Sequence, residues 1–251
     1  MKIATSQFQM SKDMAANARI MSDHMVLASQ ADAKVIHFPE TALSGYVGPH
    51  HRNLKDFDWF NLAAHQRELC RLARKLRIWV VFGSTRVVTD ELPRNCIHVI
   101  SKDGDVVGTY DKRHLYKDEP LHYGLGDTPL VIDIEGIRCG FLICYDSCFP
   151  ELYSDYRDQG VSVLFHSNYT ANSSRGHDSL DDLVIAQLRT RAADNLMWIS
   201  ASNSSEPHSK LAACIVRPDG SVTASDRHKP GIVVDDTSIA ELGWTYDNRI
   251  S

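Results

Sequence analysis

Apolar and polar positions along this chain follow two rhythms. Residues 2–9 form a short β-rich run. Residues 13–31 follow, with Met14, Ala18, Met21, Met25 and Ala28 spaced three or four apart, which puts them on one face of a helix. An apolar run at 35–38, a helical run over 60–76 in which Leu62, Leu69, Leu72 and Ala73 share a side, and a strand-like run at 78–83 complete a βαβαβ order. The middle of the chain changes character. Runs 96–101 and 106–112 flank Lys102-Asp103-Gly104-Asp105, and Asp-Gly between β-rich runs predicts a hairpin. Runs 131–134 and 138–143 flank Glu135-Gly136-Ile137 in the same manner. The alternation then resumes with a helix at 150–159, a strand at 162–166, a helix at 180–195 and a strand at 197–202. Pro218-Asp219-Gly220 marks a last turn, between 213–216 and 222–224.

Two βα-rich halves joined through hairpins predict an α/β fold with two mixed sheets, each covered by helices on one face and by its partner sheet on the other. The expected architecture is a four-layer α-β-β-α sandwich. A length of 251 residues fits a single domain spanning 1–251, with a polar C-terminal arm at about 240–251 whose Trp244 and Tyr246 need a surface to bury against. Composition narrows the class: 43% hydrophobic and 24% charged residues exclude a disordered or fibrous chain. A net charge of −5 argues against nucleic-acid or membrane partners, which favour a concentrated basic face. The N-terminus turns polar before a signal-like apolar core can form, and no run is long enough to span a bilayer, so a cytoplasmic location is expected. There the six cysteines should be thiols.

Three apolar runs end on chemically competent side chains. Val35 to Pro39 delivers Glu40, Val106 to Asp111 delivers Lys112, and Gly140 to Ile143 delivers Cys144. A thiol with an ordinary pKa is mostly protonated at neutral pH, so a nucleophilic cysteine needs a base, and Glu40 could supply it. Attack on a carbonyl or nitrile carbon builds negative charge that the Lys112 ammonium, or backbone N–H groups after the cysteine, would stabilise. Taken singly, each residue also has an ordinary reading as core cysteine, loop acid or surface lysine. A zinc site on Cys144, Cys148 and His166 lacks a matching second pair, and a Cys-His protease arrangement leaves Glu40 and Lys112 without roles.

The neighbours decide among these. His37-Phe38-Pro39-Glu40-Thr41-Ala42-Leu43-Ser44-Gly45-Tyr46, Tyr110-Asp111-Lys112-Arg113-His114-Leu115 and Cys144-Tyr145-Asp146-Ser147-Cys148-Phe149-Pro150-Glu151-Leu152-Tyr153 occur in that order. With Leu188-Arg189-Thr190-Arg191-Ala192-Ala193-Asp194-Asn195 and Asn203 they resemble the nitrilase superfamily of carbon–nitrogen hydrolases over nearly the whole chain. The resemblance implies the α-β-β-α fold. It also implies Glu40 as general base, Lys112 with the Tyr145 N–H as oxyanion partners, Cys144 as nucleophile and Glu119 as an orienting acid. The implied reaction is acyl transfer through a thioester on a small amide, with no metal or organic cofactor, in a homodimer or higher homo-oligomer. N-carbamoyl amidohydrolases and nitrilases use the same triad, and a non-catalytic binding or regulatory member of the fold is the alternative from another class. The chain departs from the family pattern at Cys148, where Arg is common, and over His166 to Ala171. Tyr46, His122, His166 and Asn168 are the expected substrate-side residues, with backbone satisfaction as the other reading of His166. The loop 45–52 and the segment 119–123 are expected to shape the pocket.

Overall fold

Alternate residues along the N-terminal strands enter two different cores. The molecule is seen in a computed structural model that describes residues 1–171, 179–238 and 248. In β1 (Lys2–Phe8), Ile3 joins one hydrophobic cluster and Ala4 the other. Val35 and Ile36 of β2 (Val35–His37), and Val81 and Phe82 of β3 (Trp79–Arg86), divide in the same way. This is the two-residue period of a strand buried on both faces. One cluster is closed by α1 (Met14–Gln30) and α2 (Trp59–Leu76). The expected stripe of α1, Met14 to Ala28, is buried in full. Its start is fixed by Asp13, whose carboxylate accepts from the N–H groups of Ala15 (2.9 Å) and Ala16 (3.2 Å), and Asp58 caps α2 through Asn61 (3.0 Å).

The other cluster packs β1–β3 and β4 (Arg94–Ile100) against β7 (Ile137–Ile143), β8 (Val163–Ser167) and β9 (Trp198–Ser204). It includes residues of α3 (Pro150–Asp158) and α4 (Ser179–Asn195). The three expected hairpins form: β4 with β5 (Val106–Asp111), β6 (Val131–Ile134) with β7, and β10 (Cys214–Val216) with β11 (Val222–Ala224). One strand escaped the sequence pattern, β12 (Gly231–Asp236), which pairs antiparallel with β1 from Lys2↔Asp236 to Gln7↔Gly231.

Hydrogen bonding runs continuously in the order β5-β4-β3-β2-β1-β9-β8-β7-β6, so the described strands form one large mixed sheet. Its two halves meet where β1 and β9 pair over Gln7↔Asn203 and Phe8↔Ser204. β1, β2 and β3 are parallel, β5 returns to their direction through two antiparallel steps, and β9, β8 and β7 continue it. The C-terminal ends of β2, β5 and β7 therefore point the same way. No described helix is long and apolar enough to cross a membrane. The expected arm at about 240–251, with Trp244 and Tyr246, lies outside the described residues apart from Asn248.

Candidate active site

Glu40 leaves β2 through Phe38-Pro39 and is fully buried. Its loop lies directly on β3: Gly83 donates its N–H to the Pro39 carbonyl (3.1 Å), and a Cβ at Gly83 would stand 2.2 Å from that oxygen and 2.7 Å from the Glu40 Cα. Only a residue without a side chain permits this approach. On the far side the Glu40 N–H donates to the Asn168 carbonyl (3.3 Å).

Lys112 follows β5 and is also fully buried, with its Nζ donating to Glu40 Oε1 (2.8 Å) and to Glu119 Oε1 (2.9 Å) and Oε2 (2.8 Å). Burial works against its ammonium, but the Glu40 and Glu119 carboxylates outweigh it and hold the Lys112 pKa above its ordinary value. Glu119 opens a one-turn 3₁₀ segment, Glu119–Leu121, and also accepts from Tyr46 Oη (2.8 Å), Asn95 Nδ2 (3.2 Å) and the Tyr116 N–H (2.6 Å). Both its oxygens accept hydrogen bonds.

Glu40 is different. Oε1 accepts from Lys112 and from Asn95 Nδ2 (2.7 Å), while the buried Oε2 has no hydrogen-bond partner among the described residues. Burial raises the Glu40 carboxyl pKa; Lys112 opposes this and Glu119 adds to it. The free oxygen belongs to a carboxylate made more basic than usual.

Cys144 directly follows β7 and begins a 3₁₀ turn, Cys144–Cys148, with φ 43°, in the left-handed region that a residue bearing a Cβ seldom occupies. The turn is braced by buried Asp146. Its Oδ2 accepts from the Ile143 N–H (3.0 Å) and Tyr110 Oη (2.8 Å), and its Oδ1 from the His114 N–H (2.9 Å). The Cys144 thiol donates to the Tyr169 carbonyl (3.9 Å). Burial, then the Glu40 charge, raises its pKa well above the ordinary thiol value, so the resting sulfur is protonated. Tyr145 is the second residue of this turn, and N–H groups at the start of a helical turn have no partner within it.

The other expected site residues divide. Tyr46 belongs to the cluster through Glu119, and its ring lies 5.0 Å from that of Tyr169. His166 is fully buried and meets the carbonyl of Cys144 through Nε2 (3.2 Å), which fixes that nitrogen as the donor. Burial lowers its pKa to about 4, so it is a neutral brace beneath the nucleophile. Asn168 ties the His166 carbonyl (2.9 Å) to the Ser202 carbonyl (3.2 Å). His122 closes the Glu119–Leu121 turn through its main-chain N–H, which donates to the Glu119 carbonyl (2.9 Å), a bond that does not place its ring in the cluster. In the loop 45–52, His50 Nδ1 accepts from the Tyr46 N–H (2.9 Å) while its Nε2 lies 3.5 Å from Glu206 Oε1, and His51 Nε2 meets the Ser44 carbonyl (2.9 Å). Asn203 holds Thr170 next to Tyr169, accepting from its N–H (3.0 Å). Asn95, Asp146 and Gly83 were not singled out from the sequence. Asp146, two residues after Cys144, had a local signal; Asn95 and Gly83 lie inside ordinary strand runs.

A base with an open oxygen, an ammonium and a thiol on a constrained turn can perform acyl transfer at a carbonyl carbon. The carbon-nitrogen hydrolase family profile matches residues 2–243, and the chain is a hydrolase belonging to that family. It is 30% identical over 207 residues to the 2-oxoglutaramate amidase of Bacillus subtilis (strain 168), covering 80% of this chain and 76% of that one. It is 27% identical over 171 residues to the omega-amidase YafV of Escherichia coli (strain K12), covering 65% and 63%. Among solved structures, a cysteine-to-alanine mutant of the amidase from Nesterenkonia sp. AN1 in complex with butyramide shares the fold. Its TM-score is 0.83 at 23% identity, covering 100% of this chain and 94% of that one.

Proposed function

We propose that this enzyme is an amidase that hydrolyses a small carboxamide to its acid and ammonia through a thioester on Cys144. Glu40 Oε2 takes the thiol proton as Sγ attacks the amide carbon, and the oxyanion is met by the Lys112 ammonium and the Tyr145 N–H. The tetrahedral intermediate collapses, the C–N bond breaks, and the amine leaves as ammonia with the proton held by Glu40. Water then attacks the thioester, Glu40 accepts its proton, and Cys144 departs and recovers that proton as the acid is released. Glu119 orients Lys112. The observation that carries this reading is the asymmetry of Glu40, one oxygen engaged by Lys112 and Asn95 and the other without a partner. The relatives that act on 2-oxoglutaramate and other ω-amides make the amide of a dicarboxylic acid the first substrate to test.

The proposal includes a single domain over 1–251, a cytoplasmic homodimer and α-β-β-α layering. The layering is supported by the division of alternate strand residues between two cores, and the compartment by six unpaired cysteines. Mass spectrometry during turnover of 2-oxoglutaramate, glutaramate and butyramide tests the chemistry. An acyl adduct on Cys144 is expected, with at least a ~10³-fold loss of ammonia release in Cys144→Ala. Ammonia release that survives that substitution overturns the mechanism.

A further inference from the structure

Asn95 touches every charged member of the cluster. Its main-chain carbonyl accepts the Lys112 N–H (2.8 Å), while Nδ2 donates one hydrogen to Glu40 Oε1 (2.7 Å) and one to Glu119 Oε1 (3.2 Å). The groups it joins come from the loop after β2, the end of β5 and a separate turn, so chain connectivity does not fix the spacing of the two carboxylates. Two carboxylates around one ammonium repel each other. A neutral amide with two N–H groups can hold both without adding charge. The amide is forced to face this way, because turning it over would set Oδ1 against two carboxylate oxygens. The far end shows the consequence: Oδ1 is buried with no hydrogen-bond partner among the described residues. Buried polar atoms are ordinarily satisfied, and an unsatisfied one on a site residue points to a constraint imposed by function.

We infer that Asn95 is a positioning residue for hydrolysis, bridging Glu40 and Glu119 so that Oε1 of Glu40 stays engaged and Oε2 alone accepts the proton. The inference rests on Glu40 acting as the base. The groups acting on Glu40 are Lys112 and Asn95 by hydrogen bonding, with Glu119, Cys144, Tyr46, Tyr123 and Tyr169 close enough to interact electrostatically. The Asn95 N–H donation to Glu40 favours the ionised carboxylate, so its loss must raise the pH at which Glu40 becomes a base.

The test compares wild type with Asn95→Leu, which keeps the shape without donors, and Asn95→Asp, which adds a carboxylate. Iodoacetamide alkylation of Cys144 is followed between about pH 5 and 9. The adduct is located by mass spectrometry, because Cys148 is exposed. Amide hydrolysis and thermal unfolding are measured alongside. For Asn95→Leu the acid limb should move up by about one pH unit, and kcat should fall ~10²-fold with KM changed only a few-fold. Asn95→Asp should move the limb further, since an added negative charge raises a neighbouring carboxyl pKa. If Asn95→Leu fails to fold, the isosteric Asn95→Asp decides. Folded variants with the wild-type acid limb, or a loss confined to KM, overturn the inference. Hydrolysis that survives Cys144→Ala sinks the cysteine mechanism itself, whereas an unmoved limb in variants of a Cys144-dependent enzyme sinks the role of Asn95 alone.

Discussion

Lys112 is a fully buried cation whose partners are two buried carboxylates, which makes its removal a test with a definite sign. Lys112→Met leaves Glu40 and Glu119 without their counter-charge, and breaking a buried pair from one side costs about 3–5 kcal/mol. Without the ammonium the Glu40 carboxyl pKa, which burial already raises in the folded protein, rises further above the unfolded value of about 4.3. Groups shifted that way favour folding below the unfolded pKa and withdraw it as pH rises through the folded one. The deficit against wild type should be largest near pH 8 and shrink toward pH 5, with hydrolysis lost at both. Urea denaturation at the two pH values measures it, and an equal deficit at both would count against the charge argument. At this scale Glu40, Lys112 and Cys144 were legible because each ends an apolar run inside a recognisable stretch. Asn95 was not: its partners lie 55 and 24 residues away, and a lone Asn in a strand carries no pattern that reveals which side chains it will meet.

The elements deliver these side chains through backbone geometry that residue types only partly announce. The helix expected at 150–159 forms as α3, but a 3₁₀ turn precedes it, and the positive φ of Cys144 accompanies the Asp146 carboxylate bonding back to Ile143. The turns at Asp103-Gly104 and Glu135-Gly136 were legible from local turn chemistry, and both glycines have positive φ. β12 was not legible, because its partner is the first strand, more than 200 residues away, and its Ile232-Val233-Val234 core is short. Gly83 belongs to the same level. In Gly83→Ala the new methyl would meet the Pro39 carbonyl at 2.2 Å and the Thr41 nitrogen at 2.5 Å, so the loop carrying Glu40 must retreat from β3. Overpacking of this kind costs about 1–3 kcal/mol, or ~2–4 °C in Tm per kcal/mol for a chain of this size. A displaced base should lower kcat ~10²-fold. Tm and kcat measured on the same preparation check both parts, and an undiminished kcat would mean that the loop can yield without moving Glu40.

At the scale of the molecule, parallel strand direction explains why the chemistry converges: β2, β5 and β7 all end at the same side of the sheet. The two halves that bring those ends together meet across polar as well as apolar groups. His37 of β2 reaches Ser200 Oγ (2.8 Å) on β9 and Ser167 Oγ (2.9 Å) on β8, and Thr5 Oγ1 lies 2.7 Å from Ser200 Oγ. Burial pushes His37 well below its ordinary pKa, and lowers His98 and His166 to about 4. The unfolded chain takes up protons on these rings below about pH 6.5, while the folded chain refuses them, so stability must fall as pH drops through that window. Each ring contributes up to about 1.4 kcal/mol per pH unit, and the raised Glu40 carboxyl opposes them by at most one proton. His98 is the ring to remove, since it bonds to Thr109 Oγ1 (2.9 Å) within the β4–β5 hairpin rather than to the nucleophile turn. Urea unfolding at steps between about pH 5 and 7 should show a wild-type slope that His98→Gln reduces by about one proton. A flat wild-type curve, or a slope unchanged in the variant, would mean that these buried rings accept charge in place, and that their surroundings are far more polarisable than the packing implies.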